Sequence, residues 1–160
     1  MSLQKELDEV NRHRDIILAE NSSWLEYVQT HQDYPESNKD DRHRALEEAV
    51  ARTPEAYGLP ANAKLYREVA LHCDRSRQLT IIDIAAICDG QPYLVEIKAS
   101  QLEQNPATAQ IQQLIATRPL KVGYLFFREI FGISPQLILI YLNDGGFCVK
   151  SIPYSREKYL

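Results

Sequence analysis

Three side chains, Asp83, Glu96 and Lys98, stand close together in the most strongly patterned apolar stretch of the chain. Two carboxylates can hold a hard cation such as Mg²⁺ or Mn²⁺, which polarises a phosphoryl oxygen and lowers the pKa of an attacking water. An amine beside them can orient that water, stabilise developing negative charge, or take a proton when its pKa is depressed. Together these residue types suit phosphodiester hydrolysis.

The three residues lie on two runs, 79–88 and 93–99, rich in Ile, Val and Tyr and separated by Asp89-Gly90, a dipeptide favoured in tight hairpin turns. The runs are expected to pair as antiparallel strands. A two-residue loop sets Asp83 opposite Glu96, whereas a four-residue loop ending at Pro92 sets it opposite Lys98. In both registers alternation leaves Asp83, Glu96 and Lys98 on one face with Ile81, Ala85, Ile87 and Leu94, and only an odd loop or a bulge would separate them. The other face carries Ile82, Ile84, Ala86, Val95 and Ile97. Strands apolar on both faces belong in the middle of a helix-covered sheet, where an unpaired carboxylate is costly. A cross-strand ion pair of Lys98 with one acid is the plain structural alternative.

Asp83, twelve intervening residues and then Glu96-Ile97-Lys98 resemble the D…(D/E)xK signature of the PD-(D/E)xK nuclease superfamily, with Ile82 where proline is common. In element order the likeness runs from about residue 40 to residue 141. The resemblance implies an α/β, restriction-endonuclease-like fold: an αβββαβ core with a mixed central sheet flanked by helices. It further implies a metal-dependent nuclease that hydrolyses phosphodiester bonds in nucleic acid, DNA being the expected substrate, with Mg²⁺ or Mn²⁺ as cofactor. Asp83 and Glu96 would be metal ligands and Lys98 a catalytic group. A glutamate on the helix before the sheet often joins the metal shell in this superfamily, and both Glu47 and Glu48 qualify. RecB-like members carry a glutamine on the helix after the hairpin, and Gln110, which borders that helix's apolar stripe, is the best match; Leu114 stands where those members have an aromatic residue.

The elements that must position these groups follow from periodicity and caps. Residues 3–19 place Leu3, Leu7, Val10 and Ile17 at helical spacing, and Ser22 or Ser23 caps a second short helix carrying Trp24, Leu25, Tyr27 and Val28. Residues 1–39 thus read as an amino-terminal helical extension that packs as an added layer or a dimer contact, base stacking by Trp24 and Tyr27 being the functional alternative. Residues 40–160 read as the nuclease-like core. Residues 33–41, with Pro35, form a loop. Asp40 or Asp41 then caps a helix running to about Thr53, with Ala45, Leu46, Ala49 and Val50 inward. Residues 65–71 alternate as a first strand, where Arg67 is expected to contact phosphate, a site carboxylate or a surface partner. Arg75 and Arg77, in the connector 72–78, are expected at a nucleic-acid backbone. Asn105-Pro106 starts the next helix, with Ala107, Ile111, Leu114 and Ile115 as its inner stripe. Residues 122–127, 137–142 and 147–152 complete the sheet, the last two joined by a turn at 143–146.

With 160 residues, 44% hydrophobic and 25% charged, the chain suits one domain with a real core. A net charge of −4 is not the basic balance of a protein gripping long nucleic acid non-specifically. That charge favours the alternative of a non-catalytic nuclease-fold domain acting as a protein-binding or regulatory module. Cys73, Cys88 and Cys148 lack CxxC spacing and read as reduced thiols, and the four histidines show no HxxxH or HExxH pairing, so no zinc site is expected. With neither a signal peptide nor a membrane-length apolar run, a cytoplasmic protein is expected. Two sites cutting opposite strands would require a homodimer, for which the amino-terminal helices are the candidate interface.

Overall fold

The computed structural model describes residues 4–34, 40–74, 77–101, 105–143 and 146–153, the side chains of residues 73, 74, 77, 100, 101 and 143 aside. Three helices come first: α1 (Gln4–Glu20), α2 (Trp24–His31) and α3 (Asp41–Arg52). The Ser23 side chain caps α2 by accepting from the Glu26 N–H, and Asp40 caps α3 by accepting from the His43 N–H. A short 3₁₀ turn (Pro54–Tyr57) leads to β1 (Lys64–Asp74), β2 (Arg77–Cys88) and β3 (Gln91–Gln101), then α4 (Pro106–Phe131), β4 (Gln136–Asn143) and β5 (Gly146–Ile152).

The strands form one mixed sheet in the order β1-β2-β3-β4-β5; β3 and β4 are parallel and every other neighbouring pair is antiparallel. The β2–β3 turn is the two-residue kind, with Asp89 and Gly90 both at positive φ (50° and 79°) and Cys88 paired with Gln91. Helices cover both faces. On one, Val10 of α1, Tyr27 and Val28 of α2, and Leu120, Phe126 and Phe127 of α4 pack with Val69, Leu71, Ile82, Ala85 and Leu94. On the other, Leu46 and Val50 of α3 pack with Ile84, Ala86, Val95, Ile97 and Ile140. The amino-terminal helices are therefore a layer of the same core as α4.

Two sequence expectations are corrected by α4. Residues 122–127 are not a strand but the buried part of a single helix with Pro119 inside it. That part is enclosed by the sheet and by α1, so its apolar side chains face in nearly every direction, and an all-apolar run carries no period to separate helix from strand. Ile115, whose carbonyl would have received the hydrogen bond that Pro119 cannot donate, belongs to the exposed half of the helix. The expected inner stripe faces solvent instead: Ile111, Leu114 and Ile115 are 58%, 44% and 62% exposed, and the buried residues of α4 begin at Thr117. The connector expected at 72–78 is largely strand, β1 reaching Asp74 and β2 starting at Arg77.

Candidate metal centre

Four buried groups meet where β1 and β2 break their regular pairing. His43 and Glu47, four residues apart, occupy one face of α3 beside Leu46 and Val50, and the Asp40 cap sets the first turn of that helix. On the strands, Arg67 pairs with Ile84 and Val69 with Ile82, but the intervening Glu68 and Asp83 do not pair. Glu68 sits at φ 48°, a left-handed backbone that side-chain-bearing residues rarely adopt. Its carbonyl accepts from the Tyr34 N–H (3.1 Å) and that of Arg67 from the Asp33 N–H (2.8 Å), so the segment after α2 holds the kink in place.

The kink reverses the sheet's facing. Leu65, Ile84 and Ala86 pack on the α3 side, whereas Val69, Leu71 and Ile82 pack on the α4 side. Ile82 and Ile84 thus lie on opposite faces, though alternation alone puts them together. Asp83, between them, is fully buried at the point where β2 and β3 part, their last paired residues being Ile84 and Val95. Its Oδ2 accepts the Ile97 N–H of β3 at 2.7 Å.

The side chains converge from three elements. His43 Nε2 lies 3.2 Å from Asp83 Oδ2, and His43 Nδ1 lies 3.0 Å from Glu47 Oε2. Arg67 Nε donates to Glu47 Oε1 at 3.0 Å, and its Nη2 reaches the Arg44 carbonyl at 3.5 Å. Burial pushes the Glu47 carboxyl up, but its bonds to His43, Glu68 and Arg67 outweigh both burial and the nearby Asp83 charge, holding it below the ordinary glutamate value. One ligand atom each from His43, Glu47, Glu68 and Asp83 can be chosen so that all lie within 4.8 Å of one another. Two ligands on opposite sides of one cation, each at about 2.1–2.5 Å, are about 4.2–5 Å apart, so the four atoms fit around a single ion. The cluster can hold a metal ion.

The residues singled out by sequence are placed as follows. Asp83 and Glu47 are in the cluster; Glu48 is exposed on α3. Glu96 is buried but outside it. Leu94, two residues earlier, and Leu139, its register partner on β4, both pack on the α4 side, so alternation puts Glu96 on that face. The β2–β3 pairing ends at Ile84 and Val95, one residue short of Asp83 and Glu96, and the change of facing at Glu68 and Asp83 turns the two carboxylates to opposite sides. Lys98, partly buried and paired with Tyr141, which packs on the α4 side, falls on the same face as Glu96 by alternation and so away from the cluster. Arg67 takes the role of partner to a site carboxylate. Gln110 is exposed on α4, in the wall of a cavity facing β5. Arg75 lies outside the described residues, as does the side chain of Arg77. Trp24 meets Phe127 edge-on at 6.2 Å, and Tyr27 is buried, its hydroxyl donating to the Ala70 carbonyl and accepting the His72 N–H, which leaves Tyr27 no face for a base.

His43 and Glu68 are absent from the sequence-derived set. The signal for His43 was its four-residue spacing to Glu47 along an otherwise apolar helix face, which a search for paired histidines passes over. Glu68 had only its place in the apolar strand, and its orientation depends on the kink. No family model, curated protein or solved structure matches this chain.

Proposed function

We propose that the chain is a divalent-metal-dependent hydrolase of phosphodiester bonds in nucleic acid, with DNA the first substrate to test. The observation that carries this reading is the buried His43–Glu47–Glu68–Asp83 cluster, built where β2 and β3 part and bonded through Asp83 to the Ile97 N–H of the Glu96-Ile97-Lys98 segment. The order α3-β1-β2-β3-α4-β4 agrees with the restriction-endonuclease-like αβββαβ core and supports the same reading.

His43, Glu47, Glu68 and Asp83 would hold the ion. Oxygen-rich sites suit Mg²⁺ and Mn²⁺, and the imidazole nitrogen adds a ligand that Mn²⁺ accepts more readily. Such an ion supplies Lewis-acid polarisation of a phosphoryl oxygen and a bound water of lowered pKa. The chain's own part is positioning. Ile97 N–H orients Asp83, and Arg67 orients Glu47. No helix among the described residues is long and apolar enough to cross a membrane.

Calorimetric titration of the intact protein with Mn²⁺ and Mg²⁺, beside Asp83→Ala and His43→Ala, tests the ion. Binding lost in both variants is expected, and a wild type that binds neither ion overturns the reading. Cleavage of linear DNA and RNA tests the reaction, with Asp83→Ala expected to lose cleavage along with the ion. A second reading, a non-catalytic domain of this fold that binds a protein partner, is favoured by one observation: Glu96 stands outside the cluster. Metal binding without cleavage of either nucleic acid would support it.

A further inference from the structure

We propose that Asp33, an exposed residue outside the metal centre, is a positioning residue that holds Glu68 for the ion. This role rests on the reading of the cluster as an ion site. Asp33 sits at φ 57° and Glu68 at φ 48°, two left-handed residues on facing stretches of chain. The Asp33 N–H donates to the Arg67 carbonyl at 2.8 Å, and the Tyr34 N–H donates to the Glu68 carbonyl at 3.1 Å. In an extended strand successive carbonyls point to opposite edges, so two neighbours can face one partner only where the residue between them leaves the extended region. The dihedrals of Glu68 lie between the two acceptors, and those of Asp33 lie between the two donors. Each left-handed residue therefore aligns one half of the same pair of hydrogen bonds.

Strained residues persist only where their surroundings fix them, and they gather at functional sites. Here the fixing contacts come from α2. The Tyr27 hydroxyl anchors that helix to β1 just beyond the kink, donating to the Ala70 carbonyl at 3.3 Å and accepting the His72 N–H at 3.0 Å. Tyr34 meets the His72 ring edge-on at 5.8 Å, which seats the segment carrying the two donors. Between the Tyr27 anchor and the Tyr34 donor, Asp33 is the residue with a positive φ. Its backbone thereby holds Glu68 in the conformation that brings the Glu68 carboxylate to His43, Glu47 and Asp83. A residue that resists positive φ at position 33 turns the Tyr34 N–H away, and β1 then relaxes toward regular alternation with Glu68 withdrawn from the cluster.

The test is Mn²⁺ titration calorimetry on the full chain, with circular dichroism to show that each variant is folded. Asp33→Asn removes the charge but keeps a side chain that tolerates the left-handed region, and Asp33→Gly enters that region freely, so both are expected to bind Mn²⁺ within about twofold of the wild type. Asp33→Val, which is β-branched, is expected to bind about tenfold more weakly, because the competent conformation is then sparsely populated. Asp33→Ala should fall between them, and it gives the same ordering if Asp33→Val does not fold. In EDTA, hydrogen exchange of the Tyr34 amide should quicken in Asp33→Val and not in Asp33→Asn, a change that a general loss of stability would not confine to this amide. By reciprocity, added Mn²⁺ should slow the same exchange in the wild type. A wild type that binds no ion removes the metal centre, and this role with it. Where the wild type does bind Mn²⁺, equal affinities in Asp33→Val and Asp33→Asn overturn the role of Asp33 alone, as does unchanged Tyr34 exchange in Asp33→Val.

Discussion

The Asp83 carboxylate of β2 accepts the backbone N–H of Ile97 on β3 at 2.7 Å, just beyond Ile84 and Val95, the last regular pair of those strands. A side chain thus takes over where the backbone ladder ends, and the same oxygen lies 3.2 Å from His43 Nε2 on α3. Removing the acceptor leaves a buried donor without its partner, which costs about 1–3 kcal/mol. Asp83→Ala is expected to be less stable in guanidinium denaturation than Asp83→Asn, whose amide oxygen can still accept from Ile97. Equal stability of the two variants would count against this role.

Glu68 holds φ 48° inside a strand, a conformation that costs a side-chain-bearing residue about 1–2 kcal/mol and glycine almost nothing. Glu68→Gly and Glu68→Ala both delete the carboxylate, so the difference between them isolates the backbone. Glu68→Gly is expected to be the more stable by about 1 kcal/mol, and to weaken Mn²⁺ binding as much as Glu68→Ala does.

Glu47 titrates below its ordinary value in the folded protein, so its contribution to stability is present above the unfolded pKa and is lost as pH falls through the lower folded value. Denaturation midpoints measured from neutral pH down into the acid range should therefore fall more steeply in the wild type than in Glu47→Gln over that window. Parallel acid limbs would show that Glu47 is not the group responsible.

Gly123 of α4 marks the closest approach of helix and sheet: a Cβ there would stand 2.8 Å from Leu94 Cδ1 and 3.0 Å from Ile82 Cδ1. Both side chains are fully buried, so there is little room for them to withdraw. Gly123→Val is expected to destabilise by about 1–3 kcal/mol through overpacking, read as a lower denaturation midpoint with metal binding preserved. An unchanged midpoint would mean that the α4–sheet contact is looser than these distances require.

What the chain declares locally, it declares well. Asp89-Gly90 specifies a two-residue turn because both residues accept positive φ, and a two-residue turn determines the register, which holds from Cys88 and Gln91 to Ile84 and Val95. Asp40 and Ser23 announce helix starts by the same local chemistry, each side chain accepting an N–H three residues on. The α4 segment shows where this ends: Leu120, Val122, Leu125 and Phe126 carry no usable period, because the burial they answer to comes from α1, more than a hundred residues earlier in the chain.

The site divides along the same line. Its acids and its strand pairing follow from short-range residue chemistry, which depends on neighbours the chain cannot rearrange. Which acids meet was decided by the fold, since the Asp33 and Tyr34 N–H groups bond the carbonyls of Arg67 and Glu68 and hold a backbone turn that alternation does not foresee. That turn brings Glu68 and Asp83 to His43 and Glu47 and leaves Glu96 on the α4 side, because a side chain's direction depends on the backbone dihedral beneath it, and here that dihedral is held by contacts distant in sequence.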